Sequence, residues 1–235
     1  MTSIGFGDIA SLDAAVATHG SNIAAIIVEP LVHDVAPREW LVAMRGHCDR
    51  LGAVLIFDEI KTAFRIRTGG VQELHGVLPD LTAVGKALAN GYPLAAVVGR
   101  TAIMQEATRT WISSTAAAES TGLAAARAVL EWHDRVNVPQ RLEANGTALK
   151  NAIGDALRES GTGSITVDGP PQMFRLVAQH DVQLDAFVAA AATHGVLFKR
   201  GAYQFASLAH DEHAIAAVVA ATRAAGRTLT DTSAQ

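Results

Sequence analysis

Asp58 and Lys86 are the residues of this chain whose types and placing could do covalent chemistry. Asp58 closes the apolar run 53–57 and is followed by Glu59; twenty-eight positions later Lys86 follows the run 81–84 across Gly85. A lysine amine can form an imine with an aldehyde and afterwards relay protons. A carboxylate set against a pyridine nitrogen keeps that nitrogen protonated, so that the ring accepts carbanion charge. Small and apolar neighbours, among them Val84, Gly85, Ala87 and Leu88, would depress a lysine pKa towards the reactive range. The bland alternative is as simple: Lys and Asp are rarely buried, a lysine after a strand is ordinarily solvated, and Asp-Glu at a strand end is often just a turn. Spacing and composition leave an aldehyde-cofactor site as one candidate among several.

The surrounding elements must place those two residues. Residues 11–19 read as a helix with Leu12, Ala15 and Val16 on one side and Gly20 as its stop. Residues 24–28 are an apolar, β-branched run ending at Glu29-Pro30, expected as a buried strand. Trp40, Leu41, Met44 and Cys48 recur at helical spacing within 39–50, and Gly52 closes that helix. Strands are then expected at 53–57, 81–84 and 94–98. Continuous apolar strands alternating with helices imply a mostly parallel sheet covered on both faces. In such sheets ligands gather beyond the carboxyl ends of the strands, where Asp58 and Lys86 both fall.

The second half changes character. Helices are expected over 117–133 and 139–159, strands over 164–167 and 173–177 around the Gly169-Pro170-Pro171 turn, then a helix over 184–194, a strand at 196–199 and a last helix over 212–227. The chain is therefore expected to divide into an α/β domain at 1–137, a small α+β domain at 138–229 and a polar, frayed tail at 230–235.

Composition narrows the function class. Of 235 residues, 49% are hydrophobic, 18% charged and 5% aromatic, so aliphatic side chains must build the core of an ordinary globular protein. A formal net charge of −4 gives no electrostatic reason to expect nucleic acid or an anionic membrane as partner. The single cysteine, Cys48, excludes an internal disulfide framework and sits on the apolar face of its helix. The apolar stretches are too short to cross a bilayer, residues 1–10 lack the pattern of a targeting signal, and the cytoplasm is the expected location. His210 and His213 have helical spacing but no completing ligand set, so a solvated or capping role is expected in place of a metal. Gly69-Gly70 lacks the spacing and lysine of a nucleotide loop.

The wording of the segments adds a resemblance. Ala24-Ala25-Ile26-Ile27-Val28-Glu29-Pro30, Leu55-Ile56-Phe57-Asp58-Glu59-Ile60 and Pro79-Asp80-Leu81-Thr82-Ala83-Val84-Gly85-Lys86-Ala87-Leu88-Ala89-Asn90-Gly91 resemble class III aminotransferases in order and spacing. Tyr92-Pro93-Leu94 and Val97-Val98-Gly99-Arg100 continue the match. The resemblance implies part of the large domain of the fold type I pyridoxal-phosphate (PLP) transferases, followed by a small α+β domain. It implies pyridoxal 5'-phosphate as cofactor, Lys86 as the Schiff-base lysine and Asp58 as the partner of the pyridine nitrogen. Ser113-Ser114-Thr115 is similar to the family segment whose threonine reaches the cofactor phosphate of the neighbouring subunit, which implies phosphate binding by Thr115 in a homodimer. The alternative is that Ser114 or Thr115 only caps the following helix. The stretches 195–198 and 207–212 resemble glutamate-1-semialdehyde aminomutases and their relatives.

Some residues depart from the family pattern. Lys61 stands where many transaminases have a glutamine touching the ring oxygen of the cofactor, and it is expected to point to solvent. A substrate-carboxylate arginine is not identifiable; Arg175 and Arg200 are candidates for which a surface or interface role is the simpler reading. The phosphate loop and the ring-stacking aromatic residue of the family are absent, so a fragment, one half of a split enzyme or a degenerate product is expected. The functional expectations are two. One is amino-group transfer between an amino donor and a carbonyl acceptor, or its intramolecular 1,2-shift version, with a separate chain supplying the missing N-terminal half. The other is a non-catalytic subunit or interaction module.

Overall fold

The computed structural model describes residues 1–110, 119–201 and 203–233. The chain divides into two compact units, Met1–Val138 and Pro139–Gln235. Among the described residues no helix is long and apolar enough to cross a membrane.

In the first unit, α1 (Ile9–His19) starts at Asp8, whose carboxylate accepts the Ser11 N–H at 3.1 Å. It is followed by β1 (Ala25–Val28), α2 (Arg38–Leu51) and β2 (Val54–Asp58). Helix α2 buries Trp40, Leu41, Met44 and Cys48, the side chains whose helical spacing was legible in the sequence, and ends at Gly52 in the left-handed region. A short helix α3 (Val71–His75) precedes β3 (Leu81–Val84), and β4 (Ala96–Gly99), α4 (Thr101–Met104) and α5 (Ser120–Arg135) follow. Glu119 caps α5 by accepting the N–H groups of Thr121 and Gly122, both at 2.7 Å. Residues 117 and 118, included in the expected helix, lie outside the described residues.

The sheet order is β1-β2-β3-β4, with β1, β2 and β3 parallel and β4 antiparallel to β3. Two expectations about its strands need correcting. Strand β1 is only partly buried: it forms a sheet edge, with Val28 in the core but Ile27 67% exposed. Strand β4 begins at Ala96, not residue 94, and forms the other edge with Val97 and Val98 about half exposed. An apolar strand is covered on both faces only when other elements flank it, and edge strands have a neighbour on one side. The interior strands behave as expected, with Leu55 and Phe57 of β2 fully buried.

The second unit runs α6 (Val138–Glu159), β5 (Ile165–Asp168), β6 (Met173–Ala178), α7 (Asp181–Thr193), β7 (Gln204–Phe205) and α8 (Glu212–Ser233). Strands β5, β6 and β7 form an antiparallel sheet. Its core joins Ile153 and Leu157 of α6, Phe174 of β6, Phe187 of α7 and Ala225 of α8. Gly146 on α6 is required by a close approach, because a Cβ there would lie 2.1 Å from the Pro171 carbonyl oxygen.

The strand expected at 196–199 does not form. Phe198 turns into the core against Phe187, with ring centroids 5.7 Å apart, and the Lys199 N–H goes to the Gln204 side chain at 2.9 Å. Gln204–Phe205 pairs with β6 instead. The expected tail from residue 230 is also corrected: α8 continues to Ser233, because Leu229 packs on the core and the Thr230 hydroxyl donates to the Arg227 carbonyl at 2.9 Å.

Candidate functional site

The parallel register of β2 and β3 pairs Asp58 with Ala83. Asp58 therefore ends its strand on the same sheet edge that Lys86 reaches three residues beyond Ala83. Asp58 is half-buried, and its Oδ1 accepts the Ile60 N–H at 3.1 Å, which fixes the carboxylate over the strand end. Lys86 begins one turn of 3-10 helix, Lys86–Leu88, at φ 45°, and its carbonyl accepts the Asn90 N–H at 3.0 Å. That turn directs Leu88 and Ala89 into a cluster with Val84, Ala63 and Ala126. Lys86 itself is exposed, so the apolar surroundings expected from its sequence neighbours are not what the folded chain gives it. Its neighbours in sequence turn inward while its own side chain opens onto a cleft of about 420 Å³ that Arg65, Asn90 and Tyr92 also line.

The carboxylate next to Asp58 has a different task. Glu59 is fully buried and accepts hydrogen bonds from the Thr62 hydroxyl, the Val71 N–H at 3.0 Å and the Gln72 N–H at 2.8 Å. Burial pushes its pKa up, with the three donors opposing that shift. Gly70 makes room for it: φ is 84°, and a Cβ would stand 2.3 Å from Glu59 Oε2. The Gly69-Gly70 pair thus serves a loop anchored on Glu59, a role that sequence reading missed and that a strand-end carboxylate followed by a glycine pair could have signalled.

Lys61 does not point freely to solvent. Its ammonium pairs with Glu29, just beyond β1, and both side chains are partly buried. Because Val28 pairs with Phe57, Glu29 and Asp58 follow on neighbouring strands, and the Lys61 ammonium sits on Glu29. A second unforeseen group is Asp80, 3% exposed, which precedes β3 and accepts from the Leu55 N–H, Arg45 and Arg100.

Thr115 lies outside the described residues. Arg175 pairs with Asp168 at 2.7 Å, directly opposite it across β5 and β6, and Arg200 pairs with Asp185. His210 accepts the Ser207 N–H through Nδ1 at 3.1 Å within the turn before α8, whose first turn is capped instead by Asp211, accepting the Ala214 N–H at 2.8 Å. Among the described residues no group of three or more His, Cys, Asp or Glu side chains could hold a metal ion. Cys48 is fully buried, and desolvation pushes its thiol up to about 11.

The fold has clear relatives. The family model for class-III aminotransferases matches residues 8–221. Over 104 residues the chain is 46% identical to a glutamate-1-semialdehyde 2,1-aminomutase of Chlorobium phaeovibrioides (strain DSM 265 / 1930), a match covering 43% of this chain and 24% of that protein. The FumI protein of Sphingopyxis sp. MTA144, solved in its PLP internal aldimine form, superposes with TM-score 0.93 at 26% identity, over 100% of this chain and 58% of that one. An omega-transaminase from Sphaerobacter thermophilus gives TM-score 0.81 at 25% identity, over 94% of this chain and 56% of that one. The fold is thus that of the PLP-dependent transaminases of fold type I. The chain belongs to the class-III aminotransferase family, which is PLP-dependent. It spans under two thirds of the length of each of these relatives.

Proposed function

We propose that the chain supplies the covalent lysine and the ring-nitrogen carboxylate of a PLP-dependent aminotransferase or aminomutase-like enzyme. The observation that carries this reading is the β2–β3 register, which sets Asp58 and Lys86 on one sheet edge with Asp58 oriented by the Ile60 N–H. An amine and a fixed carboxylate on adjacent strand ends suit an aldehyde-bearing pyridine. When bound, pyridoxal phosphate supplies a ring that spreads the negative charge left at a substrate carbon. Asp58 holds the proton on the ring nitrogen. Lys86 would hold the group through Nζ and, once free, would remove a proton from the Cα of the amino donor and, in the second half of the transfer, give one to the Cα of the product made from the carbonyl acceptor. An amino donor and a carbonyl acceptor are the substrates of this reading.

The complete site needs residues from more polypeptide than this chain, either a separate chain carrying the rest of the large domain or a longer product. Thr115, reaching the phosphate held by a second copy, would make the assembly a homodimer. The test is the long-wavelength absorbance band that forms when PLP is added, alone and with a polypeptide carrying the remaining large-domain segments. The band must require Lys86 and disappear in Lys86→Ala. A second reading, an interaction module without chemistry of its own, is favoured by the exposed Ile27, Val97 and Val98 on the two edge strands. No band in either arm selects that reading.

A further inference from the structure

An aldehyde at this sheet edge has two amines to choose from. Of the four lysines in the chain, Lys61 and Lys86 lie in the first unit, and both stand just past the carboxyl end of a strand. Strands β1, β2 and β3 are neighbours and parallel, so the residues that follow them gather on one edge. Glu29 directly follows β1, Lys61 comes three residues after Asp58 at the end of β2, and Lys86 comes two residues after Val84 at the end of β3.

The two amines are held differently. Lys61 is in an ion pair with Glu29, and the two side chains are only 21% and 31% exposed. Glu29 Oε1, the atom on which the ammonium sits, is closed to solvent. Moving the ammonium away would leave a partly buried carboxylate charge uncompensated, which costs more than parting a surface pair. The backbone under Lys61 is fixed as well. Its carbonyl accepts Arg65 Nη1 at 2.7 Å, and the N–H groups of Thr62 and Ala63 both go to the Glu59 carbonyl, at 3.1 and 2.9 Å. Lys86, by contrast, is exposed, and the cleft it opens onto has no carboxylate among its described lining residues.

Imine formation needs a neutral amine: its lone pair attacks the aldehyde carbon, the nitrogen gives up its protons and the carbonyl oxygen leaves as water. An ammonium seated on a carboxylate has no lone pair to offer. We propose that Glu29 is a positioning residue acting through Lys61: by holding that ammonium it keeps the second amine of this sheet edge out of imine chemistry and leaves the aldehyde to Lys86. The choice of lysine rests on the proposed function, whereas the hold on Lys61 does not.

Two aldehydes test the two parts separately. Reductive methylation of the chain with formaldehyde and cyanoborohydride, followed by peptide mapping, gives the rate at each lysine, with exposed Lys199 of the second unit as internal reference. Lys61 should react more slowly than Lys199. Glu29→Gln should raise the Lys61 rate by about fivefold or more with Lys86 and Lys199 unchanged, and Glu29→Asp, which keeps the charge, should raise it less. PLP with borohydride, in the presence of the polypeptide carrying the remaining large-domain segments, should mark Lys86 in the wild type. In Glu29→Gln part of that label should move to Lys61, and adding Lys61→Met should return it to Lys86. Circular dichroism checks that each variant is folded, and Glu29→Asp carries the test should Glu29→Gln not fold. A wild-type Lys61 as reactive as Lys199, or an unchanged Lys61 rate in the folded variants, overturns the hold. A raised rate with all the PLP label still on Lys86 overturns its part in the choice. Absence of label on Lys86 throughout sinks the proposed function, while the formaldehyde rates still decide the hold.

Discussion

Replacing Asp80 tests what locks the two site strands in register. Its Oδ2 accepts the Leu55 N–H and Arg45 Nη1, each at 2.8 Å, and its Oδ1 accepts Arg100 Nη1 at 2.9 Å. Leu55 lies on β2 and Asp80 directly precedes β3, so this carboxylate ties together the strands that carry Asp58 and Lys86 at their far ends. Asp80→Ala strands the Leu55 N–H in a fully buried position, a loss of about 1–3 kcal/mol. It also takes a carboxylate from Arg45, whose side chain is 21% exposed and which keeps only Asp49. The Arg100 side chain is 68% exposed, so its pairing contributes at most about 1 kcal/mol. Together these give roughly 3–4 kcal/mol for Asp80→Ala, about 1–2 for Asp80→Asn and less than about 1 for Arg100→Ala.

Thermal melting with hydrogen exchange at the Leu55 amide measures the series. The reasoning is refuted if Asp80→Ala melts with Arg100→Ala, or if the Leu55 amide keeps its protection. The acid limb adds a signed check. Burial alone would raise the Asp80 pKa, but the Leu55 N–H, Arg45 and Arg100 outweigh it and hold the carboxyl below its ordinary value. With its folded pKa depressed, the stabilisation is present above the unfolded value of about 3.9 and is lost as pH falls through the folded one. Asp80→Asn should therefore flatten the loss of stability below about pH 4.

Three further outcomes are expected. Gly70→Ala forces a Cβ against the Glu59 carboxylate at a φ of 84° and should cost about 2–3 kcal/mol, read as a lowered melting temperature. Cys48, buried and pushed up to about 11, should resist a thiol-specific disulfide reagent at pH 8 in the native chain and react only as α2 opens, which a rate measurement in rising denaturant checks. Phe187→Ala should destabilise the second unit by about 3–5 kcal/mol, seen as lost exchange protection in β6, because this ring is fully buried in its core.

The parts of this molecule legible in the sequence are those set by local periodicity and by strand ends. Trp40, Leu41, Met44 and Cys48 are spaced for a helix and bury together, and the runs ending at Asp58 and Val84 become neighbouring parallel strands. Edge positions were not legible, because Ile27 and Val97 have the composition of buried strands and only sheet order tells which strand lacks a second neighbour. The run 196–199 departs from its expected strand for a related reason. Phe198 is needed by the core of the second unit, and that tertiary demand overrides local strand preference. Within the site, residue types pointed to Lys86 and Asp58, whereas the Lys61–Glu29 pair, the Glu59 anchor and Arg65 beside Lys86 depend on contacts between segments. The solvent exposure of Lys86 follows from a single turn of 3-10 helix that small neighbouring residues do not announce.

The central claim is that Lys86, among the lysines of this chain, is the one that carries PLP. The most direct measurement is borohydride reduction of the chain incubated with PLP, with the polypeptide supplying the remaining large-domain segments present, followed by peptide mapping by mass spectrometry. The account predicts a stoichiometric pyridoxyl adduct on the peptide containing Lys86, lost in Lys86→Ala and reduced in Asp58→Asn. An adduct on Lys61 instead, or one spread over the surface lysines and unchanged in Lys86→Ala, would contradict it.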